Sequence, residues 1–199
     1  MRRRRRLIVI RHGQTTWNAE QRFQGHSDAP LDETGRRQAF EVATEVAPLG
    51  PGLILCSDLE RARCTTAPLA SATGAAVVVD PALREINMGA WEGMLHGEAE
   101  ARFPEEYHAW KAGLPVRRGG GETEAEGATR AAAFITAQLR RPDHQETETV
   151  AVVAHGTVLR ATLARLGERG AIDLDGPSPR LGNGEWRCYT WRDASLTAA

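Results

Sequence analysis

Cysteine is scarce in this chain. Cys56, Cys64 and Cys188 are odd in number and lack CxxC spacing, so neither a disulfide framework nor a zinc site is expected. An excess of one charge is also missing: 25 Lys and Arg face 26 Asp and Glu, and a net charge of −1 supplies no global field for nucleic acid or anionic lipid. Lysine itself is nearly absent, Lys111 standing alone among arginines, which reads as a coding bias without functional content. No apolar run approaches membrane-spanning length. The stretch Leu7 to Ile10, after the Arg2 to Arg6 run, is far shorter than the apolar core of a signal peptide and runs into Arg11 and His12. Those five arginines are expected to be a solvated start to the chain. The expectation is a cytoplasmic protein that binds neither nucleic acid nor membrane.

What is present is enough for one hydrophobic core, since 199 residues fall within the usual size of a single domain. Leu7-Ile8-Val9-Ile10, Leu53-Ile54-Leu55-Cys56 and Val150-Ala151-Val152-Val153-Ala154 are continuous apolar runs, the pattern of strands buried on both faces. Ala76-Val77-Val78-Val79 reads as a fourth. Between them the apolar positions recur with helical period at Ala39, Ala43, Val46 and Ala47, at Ala128, Ala132, Ile135 and Leu139, and at Leu159, Leu163 and Leu166. Asp32 can cap the first of these helices, and Thr123 with Glu126 has capping-box spacing before the second. Gly113 to Gly121, with Pro115 and three consecutive glycines, reads as a surface loop. Strands alternating with helices predict an α/β fold with a mainly parallel central sheet flanked by helices, whose ligands bind beyond the carboxyl ends of the strands.

That placement gathers a particular chemistry. Arg11, His12 and Gly13 follow the first strand, Ser57, Asp58 and then Arg61 the second, and His155, Gly156 and Thr157 the last. Two imidazoles and two guanidiniums at one sheet edge suit a phosphoryl group, because Arg offers a rigid fork of donors and stays charged at every relevant pH. A neutral imidazole, with an ordinary pKa near ~6.5, can then attack phosphorus and split one hard displacement into two easier ones. The leaving alkoxide needs a proton, and Glu85, in Leu83-Arg84-Glu85-Ile86, is the candidate general acid. A carboxylate beside Arg84 has a plainer reading as half of a surface ion pair. A metal site built from His12, His26, Asp28 and His155 is opposed by the two arginines, whose charge would repel a divalent ion.

The stretch Leu-Ile-Val-Ile-Arg-His-Gly-Gln-Thr-Thr-Trp-Asn at residues 7 to 18 resembles the signature of the histidine phosphatase superfamily, the phosphoglycerate mutase-like fold. The likeness continues in family order through Arg22 to Gly25, Asp28 to Leu31, Ser57 to Ala62, Leu83 to Ile86, Gly89 to Gly93, Gly120 to Thr123 and Val153 to Gly156. It implies one domain over residues 1–199 with a three-layer sandwich, and a phosphomonoester hydrolase that uses no cofactor or metal. It also implies roles: His12 as the nucleophile that becomes phosphorylated, Arg11, Arg61 and His155 on the transferred phosphoryl group, and Asn18 and the Thr157 amide as further donors. Glu85 would be the general acid and then the base that activates water, with Gln24 and Gly25 near the substrate. Mutases of the family follow the acid with Arg-His-Tyr-Gly and carry a long insert, whereas Ile86-Asn87-Met88-Gly89 stands here. That difference favours a phosphatase over a mutase. The substrate stays open among phosphosugars, phosphoglycerate derivatives such as glucosyl-3-phosphoglycerate, ribazole phosphate and fructose bisphosphate. Leu181 to Trp186 resembles the tail of glucosylphosphoglycerate phosphatases. Residues 97 to 119, which shape the substrate pocket in this family, match no specific pattern. A homodimer also stays open, since dimers are common among symmetric assemblies.

Overall fold

The computed structural model describes residues 4–192. Five strands form one sheet in the order β3-β2-β4-β1-β5: β1 (Arg4–Arg11), β2 (Leu53–Cys56), β3 (Ala76–Val79), β4 (Thr149–Ala154) and β5 (Trp186–Arg192). The first four run parallel, and β5 pairs antiparallel with β1. Because side chains alternate along a strand, each central strand feeds two cores. Leu7, Val9, Leu55, Val150 and Val152 point to one side, against Ile135 and Leu139 of α6 (Glu124–Arg140) and Leu159 and Leu163 of α7 (Gly156–Glu168). Ile8, Ile10, Ile54, Ala151 and Val153 point to the other, against Val42, Ala43 and Val46 of α2 (Glu33–Val46) and Ala62 and Leu69 of α3 (Glu60–Thr73). The result is the expected helix-sheet-helix sandwich, and the predicted caps form: Asp32 accepts from the Gly35 amide at 2.7 Å, and Thr123 and Glu126 make a reciprocal capping box.

Three expectations are corrected. The apolar run of β3 is an edge strand covered on one face: Val78 packs against the core under α6 and α7, while Val77 and Val79, which point the other way, are exposed. The arginine run is solvated only in part: β1 begins at Arg4 and Arg6 is exposed as expected, but Arg5 is buried with Nη1 donating to the Leu139 carbonyl at 2.8 Å. Arg2 and Arg3 lie outside the described residues. The segment from Gly113 to Gly121 also turns inward at Arg118, which is buried.

A smaller apolar cluster lies apart from the sandwich. Phe23, Ile86, Met88, Trp91, Ala99 and Tyr107 pack with Phe103 and Trp110, mostly from α4 (His96–Arg102), α5 (Pro104–Lys111) and the turns before them. Its rings meet tilted or edge-on at centroid distances of 5.0 Å for Phe23–Trp91 and 5.8 Å for Trp91–Trp110, the arrangement the aromatic quadrupole favours. This cap overhangs the carboxyl ends of the central strands. No helix among the described residues is long and apolar enough to cross a membrane.

Candidate active site

Parallel register brings the strand ends level. Arg11 pairs with Ala154 across β1 and β4, the His12 amide donates to the Ala154 carbonyl at 3.0 Å, and the Ser57 amide donates to the Val153 carbonyl at 3.0 Å. His12 and His155 therefore emerge side by side, ring centroids 5.0 Å apart, both buried. The turn after His12 is held by close backbone packing on the start of α2. A Cβ on Gly13 would lie 2.4 Å from the Gly35 carbonyl oxygen, and one on Gly35 would lie 1.9 Å from that of Gln14, so neither glycine has room for a side chain. Thr65 of α3 ties this turn to Arg61, accepting from the Gly13 amide at 3.0 Å while donating to the Arg61 carbonyl at 2.7 Å.

The tautomer of His12 follows from its partner. Nδ1 lies 2.7 Å from the Gly13 carbonyl oxygen, which can only accept, so Nδ1 carries the proton and Nε2 keeps its lone pair. Burial first, then the charges of Arg61 and Arg11, hold His12 well below the ordinary imidazole pKa. It is a neutral nucleophile with a fixed orientation. His155 is likewise pushed well below the ordinary value, by burial, then Arg61 and His12. The Arg61 Nε–H donates to its Nδ1 at 3.2 Å, which leaves Nε2–H to donate to Ser57 Oγ at 2.9 Å. Both ring nitrogens of His155 thus have protein partners, and its direct effect is to orient Arg61.

Arg61 is locked by backbone carbonyls. Nη2 donates to the Gly25 carbonyl at 2.8 Å and Nη1 to that of Ser27 at 2.7 Å, with Asp28 Oδ1 at 3.4 Å. The loop carrying those carbonyls is clamped by Glu92, whose oxygens accept from the amides of His26 at 2.9 Å, Met88 at 3.1 Å and Ser27 at 2.8 Å. Gly25, at φ 54°, would drive a Cβ into Glu92 and the Met88 amide. Arg11 donates from Nη1 to the Leu181 carbonyl at 2.8 Å, while its buried Nε has no protein partner among the described residues. Burial lowers both guanidinium pKa values from their ordinary one, yet both stay charged because that value is so high.

Glu85 is held by main-chain donors: Oε1 accepts from the amides of Ile86 at 2.9 Å and Val158 at 2.8 Å, and Oε2 from the amide of Thr157 at 2.9 Å. It therefore sits on the N-terminus of α7. The ion-pair reading of the segment goes to its neighbour, since Arg84 binds Asp58 at 2.6 Å. The Thr157 amide, expected on the phosphoryl group, is committed here to Glu85. Among the described residues Oε2 has one hydrogen-bond partner against two for Oε1, which leaves it the more open of the two oxygens.

These groups line a cleft of about 260 Å³ that also takes in Asn18, Gln24, Gly25 and Thr157. Asn18, on α1 (Thr16–Ala19), accepts at Oδ1 from Thr15 and, at 3.0 Å, from Asn183 Nδ2; among the described residues Gln24 Oε1 is buried without a protein partner. Every residue singled out in the sequence is thus near this cleft, His155 lying behind its wall. Sequence reasoning missed Arg118, Arg160, Arg180 and Glu124 in the lining, and Glu92, Thr65 and Asn183 in support. For Asn183 a signal was available in the Leu181 to Trp186 likeness. Among the described residues no group of three or more His, Cys, Asp and Glu is arranged to hold a metal ion.

The chain matches the family described as the histidine phosphatase superfamily (branch 1) over residues 7–198. It is 38% identical over 166 residues to the glucosyl-3-phosphoglycerate phosphatase of Mycolicibacterium vanbaalenii, covering 81% of this chain and 74% of that protein. It is 37% identical over 158 residues to a protein of Erwinia tasmaniensis named as a probable phosphoglycerate mutase, GpmB, covering 77% of this chain and 70% of that one. Its fold superposes with a TM-score of 0.80, at 33% identity, on a mycobacterial glucosyl-3-phosphoglycerate phosphatase solved with VO3, covering 95% of this chain and 97% of that one.

Proposed function

The chain belongs to the histidine phosphatase superfamily and is a phosphatase, and from that premise we propose that it hydrolyses a small phosphorylated metabolite through a phosphohistidine on His12. The observation that carries this reading is the Nδ1 contact of His12 with the Gly13 carbonyl, which leaves a neutral Nε2 lone pair beside Arg11, Arg61 and Glu85. Nε2 attacks phosphorus as the bond to the leaving oxygen breaks, and Glu85 Oε2 hands that oxygen a proton. The Glu85 carboxylate then takes a proton from water, the water oxygen bonds to phosphorus, and the P–N bond breaks to release phosphate and restore neutral His12. Arg11 and Arg61 stabilise the charge that collects on the phosphoryl oxygens in both steps, a contribution that acts without reorganisation because their forks are already fixed. Positive charge already in place makes a metal unnecessary to this chemistry.

The position after Glu85 supports hydrolysis over phosphoryl return: Ile86 and Met88 are buried in the cap core and cannot grip a carboxylate. A panel of phosphomonoesters, headed by glucosyl-3-phosphoglycerate because relatives are named for it, tests the reading. Stoichiometric inorganic phosphate is expected, with little 2-phosphoglycerate from 3-phosphoglycerate plus catalytic 2,3-bisphosphoglycerate. Mutase turnover far faster than phosphate release would overturn it.

A further inference from the structure

The cleft holds more positive charge than a phosphoryl group requires. Six guanidiniums line it against two carboxylates, and both active-site imidazoles are neutral. Arg11 and Arg61 answer the phosphoryl dianion. The excess lies beside that pair in the lining, where Glu124 at the start of α6 stands between Arg118 and Arg160 and binds both. One carboxylate cannot neutralise two guanidiniums.

Arg118 is the informative member. Its side chain is only 4% exposed, yet among the described residues its guanidinium finds Glu124 at 3.5 Å and the Met88 sulfur at 3.9 Å, both longer than a charge-assisted hydrogen bond. It lies over the Trp110 ring at 5.7 Å, which steadies the cation without using its N–H donors. A buried charge with donors left unused is costly unless something pairs with it. Arg160 fixes where that partner lies relative to the chemistry. It follows Thr157 by three residues on α7, so both line the cleft about one helical turn, ~5 Å, apart along the axis.

We infer that Arg118 and Arg160, bridged by Glu124, form a second anion subsite, so that the preferred substrate is a compact phosphomonoester bearing another anionic group, a carboxylate or a second phosphate, a few bonds from the first. This rests on the phosphatase reading above for which group is cleaved, but not for whether the second anion binds.

Matched substrates test it. 3-Phosphoglycerate and glycerol 3-phosphate share a carbon skeleton and differ by a carboxylate; fructose 1,6-bisphosphate and fructose 6-phosphate differ by a phosphate. The wild type should favour the more anionic member of at least one pair by ~10-fold or more in kcat/KM, as expected for hydrogen bonds to a charged group. The pair showing the preference identifies the anion. In Arg118→Gln and, separately, Arg160→Gln the ratio should fall towards one. A wild-type ratio near one in both pairs overturns the inference, as does a ratio unchanged in both variants. If no phosphomonoester is cleaved, the phosphatase reading fails instead. Calorimetric titration of the His12→Ala protein with the same four compounds then decides the subsite on its own: tighter binding of the more anionic members supports it, and equal binding overturns it.

Discussion

The strand-end edge and the cap face each other across one cleft and are built on opposite plans. At the edge, His12, Arg61, His155 and Glu85 are buried and each is oriented by main-chain groups or by one another, with little freedom left. Elsewhere in the lining, Arg118 and Trp110 on the cap side and Arg160 on α7 are held by a shared carboxylate, a thioether and ring faces, contacts of low directionality. The difference separates two tasks. Chemistry on phosphorus needs a nucleophile, an acid and two cations within fractions of an ångström, which rigid strand ends supply. Recognition of the remainder of a substrate tolerates a looser wall, and that wall can change without disturbing the reaction.

If this division holds, equal perturbations on the two sides should act on different constants. Where formation of the phosphohistidine limits the rate, Glu85→Gln should lower kcat on an alkyl phosphate by ~100-fold, and in a single turnover it should slow release of p-nitrophenol from p-nitrophenyl phosphate much less, because that leaving group needs no proton. Trp110→Leu in the cap should raise KM about 3- to 10-fold with kcat nearly kept, because it removes binding shared by ground and transition states. Steady-state kinetics on the alkyl phosphate and single-turnover release of p-nitrophenol check the pair. A kcat defect from Trp110→Leu as large as that from Glu85→Gln would break the division.

The smallest expected effect concerns pH. His12 and His155 are both held far below the ordinary imidazole value, chiefly by burial, so below about pH 6.5 the unfolded chain binds protons that the folded chain does not. Stability is therefore fully present above that pH and falls as the pH drops, by up to ~1.4 kcal/mol per unit for each imidazole. In urea unfolding at pH 7.5 and 5.5, His155→Gln should reduce this slope. His96, the cap imidazole lowered by burial and Lys111, is more exposed, and His96→Gln should reduce it less. Equal slopes in wild type and His155→Gln would contradict the assignment of neutral buried imidazoles.

Legibility in the sequence follows the same divide. β1, β2 and β4 are continuous apolar runs because helices cover both faces, and the residues directly after them carry the site, so strand prediction alone brings His12, Arg61 and His155 together. The likeness in residues 7 to 18 adds their roles. Nothing comparable marks the cap. Arg118 sits in a glycine-rich stretch whose composition says loop, and only the fold shows it turned inward over Trp110. β5 went unread because Trp186–Arg192 is an edge strand with charged and exposed residues interspersed, and the exposure of β3 was invisible because an apolar run does not tell an edge from a centre. The commitment of the Thr157 amide to Glu85 is a main-chain fact with no sequence signal.

The central claim is that phosphate leaves through His12. Rapid mixing of excess enzyme with p-nitrophenyl phosphate, whose leaving group needs no acid, followed by alkaline quenching and mass-spectrometric mapping, tests it directly, in wild type and in Glu85→Gln, where loss of the base should slow breakdown of the intermediate. The account predicts an acid-labile, base-stable phosphoryl group on His12 that accumulates further in Glu85→Gln. A phosphoryl group on any other side chain, or phosphate release from Glu85→Gln with no phosphoryl-enzyme at any time, would contradict it.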